Sequence, residues 1–174
     1  MARPYRLSEP SPAGYLGSSK IDEPERYLPM ADLSYLFDHC AEWARRTDER
    51  IGSGGIFIFG STIYEGGEQL DDQVSDIDLV VVFPRSATSA LARVEWLGRL
   101  SIEKHALELS LIAVLERTNA GSPMVSVLAV TEHEIWADVH KSGVPNFFRS
   151  SDLKSLINPE IHTAPFYRAR RLQS

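Results

Sequence analysis

Ile56-Phe57-Ile58-Phe59-Gly60-Ser61 and, after a polar loop, Ser75-Asp76-Ile77-Asp78-Leu79-Val80-Val81-Val82-Phe83 read as two apolar strands linked through a glycine turn and an acidic pair. Asp76 and Asp78 are two residues apart, so on a strand both carboxylates project from one face and can share a hard divalent cation. Ile77 and Leu79 point the other way, into a core. Gly60 lets the backbone approach a phosphate closely. Ser61 adds a hydroxyl and its N–H at an expected helix start, where anions are favoured. Together the two halves fit a nucleoside triphosphate carrying magnesium.

Outward from this stretch, the first strand is apolar throughout and is expected to be central, buried on both faces. It is preceded by the flexible turn Gly52-Ser53-Gly54-Gly55. A first helix is expected from an Asp32 N-cap to about Asp48, with Leu33, Leu36, Phe37, Cys40, Trp43 and Ala44 at helical spacing. Pro84 closes the second strand. From Ser86 to Thr118 an apolar stripe of Leu91, Val94, Leu97, Ile102, Ala106, Leu109 and Ala113 predicts helix, with Gly98 or Ser101 as a break into two. Pro123 leads to a third strand, Met124 to Val130. Thr131 then caps a helix with Glu134 at the capping-box position, and His140 to Gly143 ends it. Asn146-Phe147-Phe148 and Leu153 to Ile157 are expected to pack back on the core. The order is helix, strand, strand, helix, strand, helix, an α/β or α+β fold with a small mixed sheet and flanking helices.

At 174 residues and 19.5 kDa the chain suits one core rather than two. Five prolines in residues 1–30 predict an extended or partly disordered arm, residues 31–160 form the expected domain, and a basic tail with Arg168, Arg170 and Arg171 fills 161–174. The net charge of −6 argues against broad binding to nucleic acid, which draws on positive charge. The apolar runs are too short to span a bilayer, and no signal-peptide pattern opens the chain, so a cytoplasmic location is expected. The single cysteine, Cys40, is excluded from a disulfide framework or thiolate zinc site within one chain and reads as a small buried hydrophobe.

The pattern Phe59-Gly60-Ser61, about 14 intervening residues, then Asp76-Ile77-Asp78-Leu79 resembles the signature of the DNA polymerase β-type nucleotidyltransferase superfamily. Ser75 before the first Asp and Val80-Val81-Val82 after the second resemble its smaller bacterial branches. The resemblance runs from Leu33 to about His140, with its specific part in residues 56–83. It implies the nucleotidyltransferase fold, with Gly60 and Ser61 binding the triphosphate and Asp76 and Asp78 as catalytic, metal-binding residues for Mg2+ or Mn2+. The implied activity moves a nucleoside monophosphate from an NTP, ATP being the first expectation, to an acceptor hydroxyl with release of pyrophosphate. The acceptor is a protein, as in minimal antitoxin nucleotidyltransferases, or a nucleotide, as in anti-phage signalling enzymes. A protein partner or larger complex is expected beside the NTP.

That family adds a third carboxylate on the following strand, and this chain departs there. Laying Met124 to Val130 under that run puts Ser126 at the position, and a serine supplies no anionic ligand. Glu68, Asp71 and Asp72 in the loop, or Glu134 and Asp138 a helical turn apart, are the substitutes to weigh. A solvated face is the plainer reading of each. The alternative function is therefore a catalytically degenerate module that binds a nucleotide or a partner protein. His133 and His140, with Glu134 and Asp138 between them, do not have HExxH spacing and read as capping or surface residues. Lys104, Lys141 and Arg149 have no geometry assigned by the sequence, and Phe147, Phe148 and Trp136 read as core packing before base stacking.

Overall fold

The computed structural model of the chain describes residues 30–63, 75–117, 123–139 and 146–158. The elements run α1 (Met30–Ile51), β1 (Gly55–Phe59), a 3-10 turn (Gly60–Thr62), β2 (Ile77–Val82), α2 (Ala90–Val114), β3 (Val125–Val130), α3 (Glu132–Ala137), α4 (Phe147–Ser150) and β4 (Lys154–Ser155). The strand order is β3-β2-β1-β4, with β2 and β3 parallel and both pairings of β1 antiparallel. The sheet is mixed and flanked by helices, and β1 and β2 are its two inner strands.

Their apolar runs follow from that position, because both faces are covered. Ile56, Ile58, Ile77, Leu79 and Val81 face α1 and α2, where Leu36, Cys40, Trp43, Trp96, Leu100, Leu107 and Leu111 complete the main core. Phe57, Val80 and Val82 face the other way and pack with Val130, Ile135, Phe148 and Leu153. Cys40 is wholly buried, and burial pushes its thiol up to about 12. Trp43 Nε1 donates to the Glu103 carbonyl (2.9 Å), and Trp96 Nε1 donates to the Gly52 carbonyl (2.9 Å), so both indoles pack without stranding a donor.

Several boundaries move from those read in the sequence. Helix α1 already runs at Met30 and continues to Ile51, so Asp32 lies inside it rather than capping it. Helix α2 is one helix: Ser89 caps it by accepting from Ala92 N (3.1 Å), and it passes through Gly98 and Ser101 without a break. A mid-helix glycine costs about 1 kcal/mol, less than the burial of Trp96 and Leu100 on either side of Gly98 returns. The capping box forms as read, with Glu134 N donating to Thr131 Oγ1 (3.2 Å) and Thr131 N to Glu134 Oε2 (2.6 Å). Helix α3 nevertheless stops at Ala137, before His140, because Asp138 turns into the left-handed region at φ 55°. Phe148, Leu153 and Leu156 do pack back on the core, through the short α4 and β4. Residues 1–29, most of the expected arm, and the whole 161–174 tail lie outside the described residues, as do His140 and Lys141.

Candidate active site

The antiparallel register of β1 on β2 puts Phe59 opposite Asp78, so the turn leaving β1 arrives beside the acidic start of β2. Gly60 takes φ +79°, and a Cβ built there would lie 2.7 Å from Asp78 Oδ2. Glycine is required twice at this point, for the backbone conformation and for room beside the carboxylate. Ser61 follows in a single 3-10 turn closed by Ile63 N donating to the Gly60 carbonyl (3.0 Å). The helix start expected at Ser61 is thus one 3-10 turn among the described residues.

Asp76 lies just before β2 and Asp78 is its second residue. Burial first, and then the neighbouring Asp76 charge, raise the Asp78 carboxyl to about 6 against the lowering effect of a hydrogen bond from the Ser126 side chain. The parallel register sets Ser126 of β3 directly across from Asp78. Asp76, Asp78, Ser126 and Gly60 therefore converge at one end of the sheet. Their strand positions share a face with Phe57, Val80 and Val82, the face away from α1 and α2.

Two aromatics extend the site along that face. Phe59 is half-buried and meets the Phe147 ring edge-on at 5.5 Å and 90°, and Phe147 in turn meets Phe148 at 5.0 Å. Phe148 is core, as read, whereas Trp136 is 39% exposed on α3 and is not. Arg117, which the sequence reading passed over, is buried at the far end of α2 and donates from Nη1 to the Ser75 carbonyl (3.1 Å). It fixes the backbone one residue ahead of Asp76.

Of the acids weighed as a third carboxylate, Glu134 and Asp138 have structural duties. Glu134 closes the capping box. Asp138 Oδ1 accepts from Phe148 N (2.8 Å), and its Oδ2 lies 3.7 Å from Arg149 Nε, so it ties the start of α4 to the end of α3. Lys104 pairs with Glu108 (2.8 Å). Glu68, Asp71 and Asp72 lie outside the described residues. Among the described residues no group of three or more His, Cys, Asp or Glu side chains is arranged to hold a metal ion. Two carboxylates and a hydroxyl do offer hard oxygen donors of the type Mg2+ and Mn2+ take. Beside burial, the Asp76 charge lifts Asp78, and that repulsion is one a divalent cation relieves.

A family model described as Pol beta superfamily nucleotidyltransferase in conflict systems matches residues 39–164. That match includes every residue of the site. No curated protein and no solved structure matches the chain. No described helix is long and apolar enough to cross a membrane.

Proposed function

Because the chain belongs to the Pol β superfamily of nucleotidyltransferases in conflict systems, we propose that it transfers a nucleoside monophosphate from an NTP to an acceptor hydroxyl. The observation that carries this reading is the closeness of Gly60 to Asp78, which joins a phosphate-approach turn to an acidic pair. In the reaction the acceptor hydroxyl loses its proton to solvent and its oxygen bonds to the α-phosphorus, the bond from that phosphorus to the bridging oxygen breaks, and pyrophosphate leaves. Asp76 and Asp78 hold Mg2+ or Mn2+, which supplies charge neutralisation at the transferring phosphoryl group. Gly60 brings backbone within reach of the triphosphate, and Ser61 offers it a hydroxyl and an N–H. Phe59 and Phe147 form an apolar edge next to the acids. The biological setting is a defence or toxin–antitoxin system, with a protein or nucleotide as acceptor and ATP as the first NTP to try.

Ser126 favours a second reading, a module that binds the nucleotide or a partner without turnover. Its neutral hydroxyl faces Asp78 where an anionic ligand would complete a two-metal site. One experiment separates the two. The chain is incubated with each of the four labelled NTPs and Mg2+ or Mn2+, alone and with cell lysate, beside an Asp76→Ala/Asp78→Ala control. Label transfer or pyrophosphate release that the control lacks supports the enzyme. NTP binding without either supports the module, and neither binding nor transfer overturns both.

A further inference from the structure

Helix α2 is apolar on two opposite faces. Trp96, Leu100, Leu107 and Leu111 face the core, while Leu91 (69% exposed), Val94 (65%), Ile102 (68%) and Leu109 (57%) face out. At 3.6 residues per turn, Leu91, Val94, Gly98, Ile102 and Leu109 fall on one outer stripe, with Glu95 and His105 on it. From Leu91 to Leu109 the stripe spans about 27 Å at 1.5 Å per residue. The neighbouring α1 shows what a solvated face looks like in this fold: Glu42 pairs there with Arg45 (2.6 Å) and lies 3.7 Å from Arg46. A helix apolar all round is normally buried all round, and a continuous exposed apolar stripe marks an interaction surface.

The stripe is complementary to itself. Turned antiparallel about a two-fold axis at residue 100, it sets Leu91 against Leu109, Val94 against Ala106 and Glu95 against His105 of the other copy. The same turn sets Gly98 against Ile102. An added Cβ at Gly98 would meet nothing within 4 Å, so the position is open to an isoleucine side chain of the facing helix. The glycine also lets two helix backbones approach closely, and the acid of Glu95 meets a ring that can donate to it. Such residue-for-residue reciprocity is what an isologous two-fold interface requires.

We propose that α2 is a homodimerisation helix, occupied by α2 of a second copy in the antiparallel register centred on residue 100. The surface is on the opposite side of the sheet from Asp76 and Asp78, so dimerisation leaves the candidate site open.

Sedimentation velocity and light scattering on the full chain test this, with the expected mass twice the 19.5 kDa of one chain. Ile102→Glu sets an unmatched charge opposite Gly98 and raises the dimer dissociation constant at least tenfold, while its far-UV circular dichroism keeps the spectrum of the unmodified chain because Ile102 is exposed in the monomer. Register is read by oxidation of a co-expressed mixture of Leu91→Cys and Leu109→Cys chains, Cys40 being buried. A cross-link forms in the mixture and is weak for either variant alone, whose like residues sit at opposite ends of the pair. A monomer at all concentrations, a dimer indifferent to Ile102→Glu, or a mixture that gives no cross-link overturns the proposal. So does a monomer that dimerises only when residues 1–29 are removed, which assigns the stripe to the chain's own arm.

Discussion

Ser126 and Asp78 face each other across the parallel β2–β3 register, and the serine side chain hydrogen-bonds the aspartate carboxylate. The bond is charge-assisted, because the hydroxyl donates to an ionised oxygen. It offsets part of the lift that burial gives the Asp78 carboxyl and takes up one of the lone pairs a cation would otherwise use. The pair therefore sets how much negative charge the site collects at a given pH.

The raised Asp78 carboxyl gives a pH dependence whose sign is set by linkage. Its ordinary value is 3.8 and its folded value about 6, so between these the folded state binds more protons than the unfolded one. Stability contributed by Asp78 is therefore present below about pH 4 and is lost as pH rises through about 6. Because the group is half-buried and screened, the loss is of order 1 kcal/mol rather than the full shift. Without metal, Asp78→Asn raises the melting temperature at pH 7.5 by a few degrees and has little effect at pH 4.5. Added Mn2+ stabilises the unmodified chain more at pH 7.5 than at pH 4.5, where protons compete for the carboxylates. Thermal melts at the two pH values, with and without Mn2+, check both signs.

Gly60→Ala tests the junction of turn and acid. Alanine at φ +79° costs about 1–2 kcal/mol, and its Cβ would stand 2.7 Å from Asp78 Oδ2. The carboxylate must swing away, so the variant loses stability and also loses Mn2+ affinity about tenfold. Urea denaturation and calorimetric titration separate the two losses. An affinity unchanged beside a lowered stability would show that Asp78 is not held by the turn.

What the sequence disclosed and what it hid divides along physical lines. Strands β1 and β2 were legible because both faces are buried, leaving unbroken apolar runs, and the spacing of Asp76 and Asp78 placed them on one face. Ser126 was legible as a register position, but its hydrogen bond to Asp78 depends on three-dimensional approach. The continuity of α2 was hidden because Gly98 is a weak breaker whose cost is outweighed by tertiary burial. Strand β4 was hidden altogether, since Lys154–Ser155 has no periodicity and is a strand only through its pairing with Phe57 and Ile58. The apolar stripe read for α2, Leu91 to Ala113, contains its exposed residues and misses the buried Trp96, Leu100, Leu107 and Leu111, because periodicity alone cannot say which of two apolar faces turns inward. Arg117 needed the path of the chain after α2 to meet Ser75.

Arg50 and Arg45 make a test of burial on one helix. Arg50 Nη1 lies 3.2 Å from a Glu103 side chain only 8% exposed, whereas Arg45 pairs with a Glu42 side chain 47% exposed. Removing Arg50 strands a carboxylate in the core between α1 and α2, which costs about 1–2 kcal/mol. Removing Arg45 returns Glu42 to water at a cost of less than about 0.5 kcal/mol. Chemical denaturation of Arg50→Ala and Arg45→Ala side by side checks the ranking, and Arg50→Ala/Glu103→Gln should recover part of the loss.

Ser126→Asp asks directly what the position opposite Asp78 is for. A third carboxylate beside Asp76 and Asp78 adds like charge, so the variant without metal is less stable than the unmodified chain at pH 7.5, by about 1–3 kcal/mol, and Asp78 holds its proton to higher pH. With Mn2+ the order reverses, because three anionic ligands bind a divalent cation more tightly than two. Thermal melts across a Mn2+ titration should therefore show the two curves crossing. Ser126→Ala serves as the control: it removes the hydrogen bond without adding charge, so its curve and that of the unmodified chain do not cross as Mn2+ is added. If the chain is an enzyme that works with Ser126, Ser126→Asp alters its NMP transfer only modestly. If it is a degenerate binding module, transfer from the labelled NTP appears in Ser126→Asp and not in the unmodified chain. Metal curves that fail to cross would mean that β3 does not bring residue 126 within reach of the cation, and the missing ligand would then be sought among Glu68, Asp71 and Asp72.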